Sequence, residues 1–177
     1  FENRIRKFWS KNKNSKFRWT LLSKLYDYMP QFKNKRYLSL TKDYYLNFLD
    51  VKNDNTYSHD MRWSQFDYVM SYFDFDTKKI KEETLNKFDD IYSEDLNDVQ
   101  MDEKCQLIEI NTLLSNYLLN IQGDRMTLAN SVEGRYPYLD LNFTEYMSKI
   151  NSNQKSPGVK SKHILRKAFE NKLPNEI

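Results

Sequence analysis

Glycine is nearly missing from this chain: there are three in 177 residues, at positions 123, 134 and 158, all in the last third. With only four prolines besides, the earlier part lacks the tight turns that a strand-rich fold needs. Cysteine is scarcer still. Cys105 cannot form an internal disulfide, and its place in an apolar-periodic segment reads as a buried thiol of a reducing compartment rather than a nucleophile. The two histidines, His59 and His163, stand beside no cluster of acidic or thiol ligands, so no dedicated metal site is expected. The acidic group Glu94, Asp95, Asp98, Asp102 and Glu103 lacks the ligand spacing and central glycine of a calcium loop and reads as a solvated linker and helix start. No apolar run approaches the length of a membrane span and no secretory pattern is present, which makes the cytoplasm the simplest location. A formal net charge of +3 excludes a strongly polycationic or polyanionic specialist.

What remains is rich in Lys, Leu, Glu, Phe and Tyr, a composition that favours helices joined by Asn/Asp/Ser loops. From Phe1 to Lys24 there are eight Lys or Arg against one Glu, interleaved with aromatics. Such a segment can bind nucleic acid, but amphipathic helices with a solvated basic face account for it better, because the excess is local. Thr41 is placed to cap a helix carrying Tyr44, Tyr45, Phe48 and Leu49, followed by a polar loop from Val51 to Tyr57. Ser58 or Asp60 then starts a helix running through Met61, Trp63, Phe66, Val69, Met70 and Phe73. Thr77 to Tyr92 reads as a charged surface helix with Ile80, Leu85, Phe88 and Ile91 inward. Two further stripes, Met101/Cys105/Ile108 and Leu114/Tyr117/Leu118/Ile121, predict two helices leading to Gly123.

The stretch from Gly123 to Asp140 is the focus of the chain. Four ionisable residues, Asp124, Arg125, Glu133 and Arg135, lie among Met126, Leu128, Ala129, Val132, Tyr136, Tyr138 and Leu139, which implies charge carried into apolar surroundings. Asp124 is expected to cap a short helix ending near Asn130 or Ser131. Pro137 biases Tyr136 toward extended backbone, and Asp140 caps a helix bearing Phe143, Tyr146, Met147 and Ile150. Beyond the turn Ser156-Pro157-Gly158, Ser161 caps a last helix with Ile164, Leu165, Ala168 and Phe169 facing the core and Lys162 in its first turn. There an ammonium and backbone N–H groups can converge on a phosphate.

Asp124-Arg125-Met126, the run from Glu133 to Asp140 (Glu-Gly-Arg-Tyr-Pro-Tyr-Leu-Asp) and the run from Lys162 to Phe169 together resemble the glutamine-hydrolysing asparagine synthetase family, in the later part of its synthetase domain. Leu173 to Ile177 fits the continuation, and Ser58 to Trp63 is similar more weakly. The resemblance implies a mainly α chain that forms the helical portion of an α/β domain of the ATP-pyrophosphatase, adenine nucleotide alpha hydrolase-like type. Residues 1–177 would be a partial synthetase domain, with 1–100 helical and weakly family-like and 101–177 bearing the motifs.

It further implies that ATP and Mg²⁺ activate the side-chain carboxylate of aspartate as an acyl-adenylate, which ammonia from glutamine then attacks. Lys162 matches the lysine placed on the departing pyrophosphate. Asp124, Arg125, Glu133 and Arg135 match family positions, read as substrate contacts or as a buried ion-pair scaffold. Asp124 and Arg135 are taken as scaffold, and Glu133 and Arg125 are left open between the two roles. The family's Ser-Gly-Gly-x-Asp-Ser phosphate loop, its Gly-Ser-Asp-Glu motif and the glutaminase domain are not in this sequence and would precede Phe1. The chain is therefore expected to be an inactive fragment, with most ATP and Mg²⁺ contacts elsewhere and a homodimer open to the full-length protein. Gly134 and Tyr138 stand where relatives often carry Ala and Phe, read as mild substitutions. Two alternatives remain: an amidotransferase or cyclase acting on another carboxylate in polysaccharide or peptide tailoring, and a helical nucleic-acid or protein-binding module.

Overall fold

The structure, a computed structural model, describes residues 2–25, 29–50, 55–74 and 76–174. Every regular element among them is helical and none is a strand, so the expected mainly α class holds. The chain divides into two compact units, Glu2–Leu107 and Ile108–Ile177.

The first unit has a true core. Helix α1 (Glu2–Ser10) presents Ile5 and Trp9, one turn apart, to Leu22, Tyr45, Leu49 and Met61, with Trp19, Leu21, Leu25, Leu46 and Phe48 packed around them. Between Ile5 and Trp9, Arg6 is 1% exposed. Its guanidinium donates to the carbonyls of Phe48 at 2.6 and 3.0 Å and of Tyr57 at 2.8 Å, and lies 4.1 Å from the Tyr57 ring centroid. Hydrogen bonding to carbonyls is what permits a charge at this depth.

Other cations of the basic segment are also engaged. Arg4 pairs with Asp102, Lys13 pairs with Asp50 at 2.6 Å, and Arg18 stacks on Phe8 while donating to its carbonyl at 2.7 Å. Asp102 lies at a helix start, as the sequence suggested, but there it is part of an ion pair rather than solvated.

Helix α2 (Lys35–Leu46) begins earlier than expected. Asn34, in extended backbone, accepts the N–H groups of Arg36 and Tyr37 and does the capping assigned to Thr41, which lies mid-helix and donates to the Tyr37 carbonyl at 2.9 Å. The expected helix from Ser58 or Asp60 begins instead at Tyr57 and is broken into α3 (Tyr57–Trp63) and α4 (Gln65–Met70). At the break, the Ser64 hydroxyl donates to the Met61 carbonyl at 2.8 Å, a local bond that competes with the helix ladder. Of the predicted loop from Val51 to Tyr57, residues 51–54 lie outside the described residues.

Asp76 caps α5 (Thr77–Leu96), which runs longer than predicted. Phe88 meets Trp63 edge-on at 5.9 Å, and Leu96 is fully buried. Ile80 and Ile91, expected to face inward, are 41% and 67% exposed. Helix α6 starts at Met101 and ends at Glu109, with Cys105 half-buried rather than buried.

In the second unit, the backbone stays right-handed at Glu109 and continues as a π-helix, Ile110–Asp124, then as α7 (Arg125–Ala129), so no break separates the predicted stripes. Because i→i+5 bonding changes the spacing of side chains around the axis, the 3.6-residue stripe does not gather on one covered face. Tyr117, Leu118 and Ile121 are each about two-fifths exposed. Helix α8 (Leu141–Ser148) is capped by Asp140, which accepts from Phe143 N–H at 3.0 Å as the sequence indicated. Phe143, Met147 and Ile150 are half-buried while Tyr146 is exposed. After α9 (Ser152–Lys155), α10 spans His163–Ala168. Ile164 and Leu165 are half-buried, but Ala168 and Phe169, predicted to face a core, are exposed. Among the described residues of this unit, Ile108 is the sole buried hydrophobic side chain.

Candidate functional site

The end of the π-helix and the turn after α7 form one local construction. Asp124 is not the cap expected of it: its backbone is helical and its carboxylate accepts no first-turn N–H. It accepts instead from the Tyr136 hydroxyl at 3.1 Å. The proton of Tyr136 is held more firmly than in free tyrosine, first because of desolvation and then because Asp124 accepts it and repels the phenolate.

Helix α7 closes on a left-handed residue, Ser131, with φ of 56°. Val132 N–H reaches the Thr127 carbonyl at 2.8 Å and Ser131 N–H the Leu128 carbonyl at 3.1 Å, the pair of bonds of a Schellman stop. This sends the chain back across the helix end through Glu133, Gly134 and Arg135. Arg135 and Glu133 pair at 2.8 Å, with side chains 80% and 72% exposed. The expected buried ion-pair scaffold is therefore absent here. The charges lie at the surface of the unit, because Met126, Leu128, Val132, Tyr138 and Leu139 around them are exposed as well. Tyr136 does take non-helical backbone before Pro137, with φ of −119° and ψ of 79°, but at 39% exposure it is no buried turn.

Lys162 precedes α10 instead of lying in its first turn. It adopts left-handed backbone, φ 52° and ψ 31°, and its carbonyl accepts Arg166 N–H at 2.9 Å, while Ser161 supplies no cap. Among the described residues, no ion pair or hydrogen bond joins the side chains of Lys162 or Arg125 to Asp124, Glu133 or any other group. The structure thus brings together Asp124 with Tyr136 and Glu133 with Arg135, and leaves Arg125 and Lys162 unengaged. No group of three or more His, Cys, Asp or Glu able to hold a metal occurs among the described residues. Nor is any helix among them long and apolar enough to cross a membrane.

The asparagine synthase family matches residues 2–177. The chain belongs to that family. Its curated relatives include asparagine synthetase [glutamine-hydrolyzing] 1 of Bacillus subtilis, 36% identical over 74 residues, or 42% of this chain and 12% of the relative. Asparagine synthetase [glutamine-hydrolyzing] of Mus musculus is 36% identical over 80 residues, 42% of this chain and 14% of the relative. Amidase chry2 of Gibberella zeae is 31% identical over 79 residues, 41% and 12% respectively. The matched part thus spans about an eighth of the length of these relatives. No solved structure matches the chain.

Sequence reading placed Tyr136 among the apolar residues of this stretch and in the run from Glu133 to Asp140, with its backbone biased by Pro137, but assigned its hydroxyl no partner. The available signal was the glycine distribution, since two of three glycines flank the Asp124 to Glu133 interval. A Cβ at Gly134 would stand 2.7 Å from the Tyr136 hydroxyl, so a larger residue there requires the tip of the tyrosine to shift. Arg6 was likewise read only as part of a solvated basic face.

Proposed function

We propose that this chain is the helical part of a synthetase that adenylates the side-chain carboxylate of aspartate with ATP and amidates it with ammonia drawn from glutamine. The products are asparagine, AMP, pyrophosphate and glutamate. The observation that carries the proposal is the asparagine synthase match, which extends from residue 2 to residue 177 and so includes the Glu133 turn and Lys162 alike.

In this reading the carboxylate displaces pyrophosphate from ATP, and the chain's own contribution is cationic. As the bond to the leaving group breaks, negative charge accumulates on pyrophosphate, and an ammonium positioned there stabilises the transition state more than the ground state. Lys162 supplies that group. It is exposed, makes no ion pair among the described residues, and is held in a backbone conformation that an L residue adopts only against strain. Arg125 is a second cation free for phosphate or carboxylate, and Glu133 with Arg135 forms a polar edge for the substrate. In the same reading Mg²⁺ and most phosphate contacts would come from residues outside this chain.

A second reading, amide formation at a different carboxylate, draws on the similarity to a protein named an amidase. The nucleic-acid module is less well supported, because Arg4, Arg6, Lys13 and Arg18 are engaged within the first unit. The test is product analysis with the full-length protein. Aspartate, ATP and glutamine are expected to give asparagine and AMP in equal amounts, whereas AMP without asparagine in the presence of another carboxylate would favour the second reading.

A further inference from the structure

We propose that Tyr136 is a positioning residue for Glu133. Its hydroxyl, seated against Gly123 and Gly134 and bonded to Asp124, fixes the Glu133–Arg135 turn to the end of the π-helix. The inference rests on the synthetase reading above and extends it to a residue that acts through another.

Three observations converge on the hydroxyl. It donates to Asp124 Oδ1 at 3.1 Å. A Cβ at Gly123 would come within 2.6 Å of it, and a Cβ at Gly134 within 2.7 Å of it and 3.0 and 3.1 Å of ring atoms Cζ and Cε2. Neither glycine has the positive φ that would itself call for glycine, so what each supplies is space, and Tyr136 takes up that space.

The turn has little else to hold it. Among the described residues, no backbone N–H from Glu133 to Tyr136 has a backbone acceptor; Val132 and Leu139 on either side do. A segment without ladder bonds is located by its side chains, and the tyrosine–aspartate bond spans the twelve residues that enclose α7 and the turn. Tyr136 therefore holds the backbone from which the Glu133 carboxylate and its partner Arg135 project.

The experiment uses the full-length protein with Tyr136→Phe, Gly134→Ala and the double variant, reading kcat, KM for ATP and thermal unfolding. Tyr136→Phe is expected to lower kcat roughly ten- to a hundredfold with little change in KM for ATP or in melting temperature, the pattern of a displaced group rather than a lost fold. Gly134→Ala is expected to lower kcat and the melting temperature in the wild-type background and to lower both less in the Tyr136→Phe background, where the nearest collision, 2.7 Å from the hydroxyl, is gone and only the ring contacts at 3.0 and 3.1 Å remain. An unchanged kcat in Tyr136→Phe, or two effects that multiply independently, would overturn the proposal. Should Gly134→Ala fail to fold, Tyr136→Phe alone decides. A wild-type protein that makes no asparagine while the two variants remain coupled in unfolding would overturn the synthetase reading and keep the lock. An active wild type with uncoupled variants would do the reverse.

Discussion

The Arg6 guanidinium reaches the carbonyls of Phe48 and Tyr57 at once, tying α1 to the end of α2 and the start of α3. A buried charge held by backbone acceptors leaves those acceptors stranded when it is removed. Arg6→Met is therefore expected to destabilise the first unit by about 3 kcal/mol or more, measured by denaturant unfolding. Arg6→Lys should recover only part of this, since one ammonium lacks the fork that reaches both carbonyls. Equal stability of Arg6→Met and wild type would contradict the assignment.

Glu2, half-buried beside Arg6, titrates above the ordinary glutamate range: desolvation raises it, and the attraction of Arg6 and a hydrogen bond from Tyr45 only partly offset this. The folded state therefore holds its proton more tightly than the unfolded state. Stability from this group is fully present below the ordinary value of 4.5 and is lost as pH rises through the folded value. Glu2→Gln should flatten the decline in unfolding free energy over that window. A variant whose pH profile overlays wild type would remove Glu2 as the cause.

Ser131 holds a left-handed conformation at the Schellman stop, where glycine carries no Cβ penalty. Ser131→Gly is expected to stabilise the α7 end by about 0.5 to 1 kcal/mol, and Ser131→Val to destabilise it, because a β-branched residue resists positive φ. Thermal melts of the pair would show it. Loss of stability in the glycine variant would mean the side chain matters more than the backbone.

Strain and function separate at Lys162. Lys162→Gly removes the ammonium and relieves the left-handed backbone, so it should hold or raise stability by about 0.5 to 1 kcal/mol while abolishing turnover. Lys162→Ala should also abolish turnover, with no such gain. Near-normal turnover in either variant, measured in the full-length protein, would end the assignment of this residue to pyrophosphate.

Much of the helical plan was legible in the sequence, and the failures have physical causes. Asp140 was a readable cap because an extended residue preceded a clean apolar period. Thr41 was misread because Asn34, seven residues earlier, offers a better side-chain acceptor. Apolar spacing located the Met101 to Ile121 segment but assumed 3.6 residues per turn, and the π-helix spreads those side chains over exposed faces. The charged residues between Gly123 and Asp140 were correctly singled out as one region. Their burial was not, since apolar neighbours in sequence do not cover a charge unless they also fold over it. Asp124 illustrates the remaining gap: a helix-cap pattern fitted it locally, whereas its partner is a tyrosine twelve positions away.

The central claim is adenylation of aspartate, and ATP–pyrophosphate exchange by the full-length protein tests it most directly. Exchange that requires aspartate, and that disappears in Lys162→Ala, is the predicted result. Exchange indifferent to aspartate, or none from a folded protein supplied with it, would contradict the account.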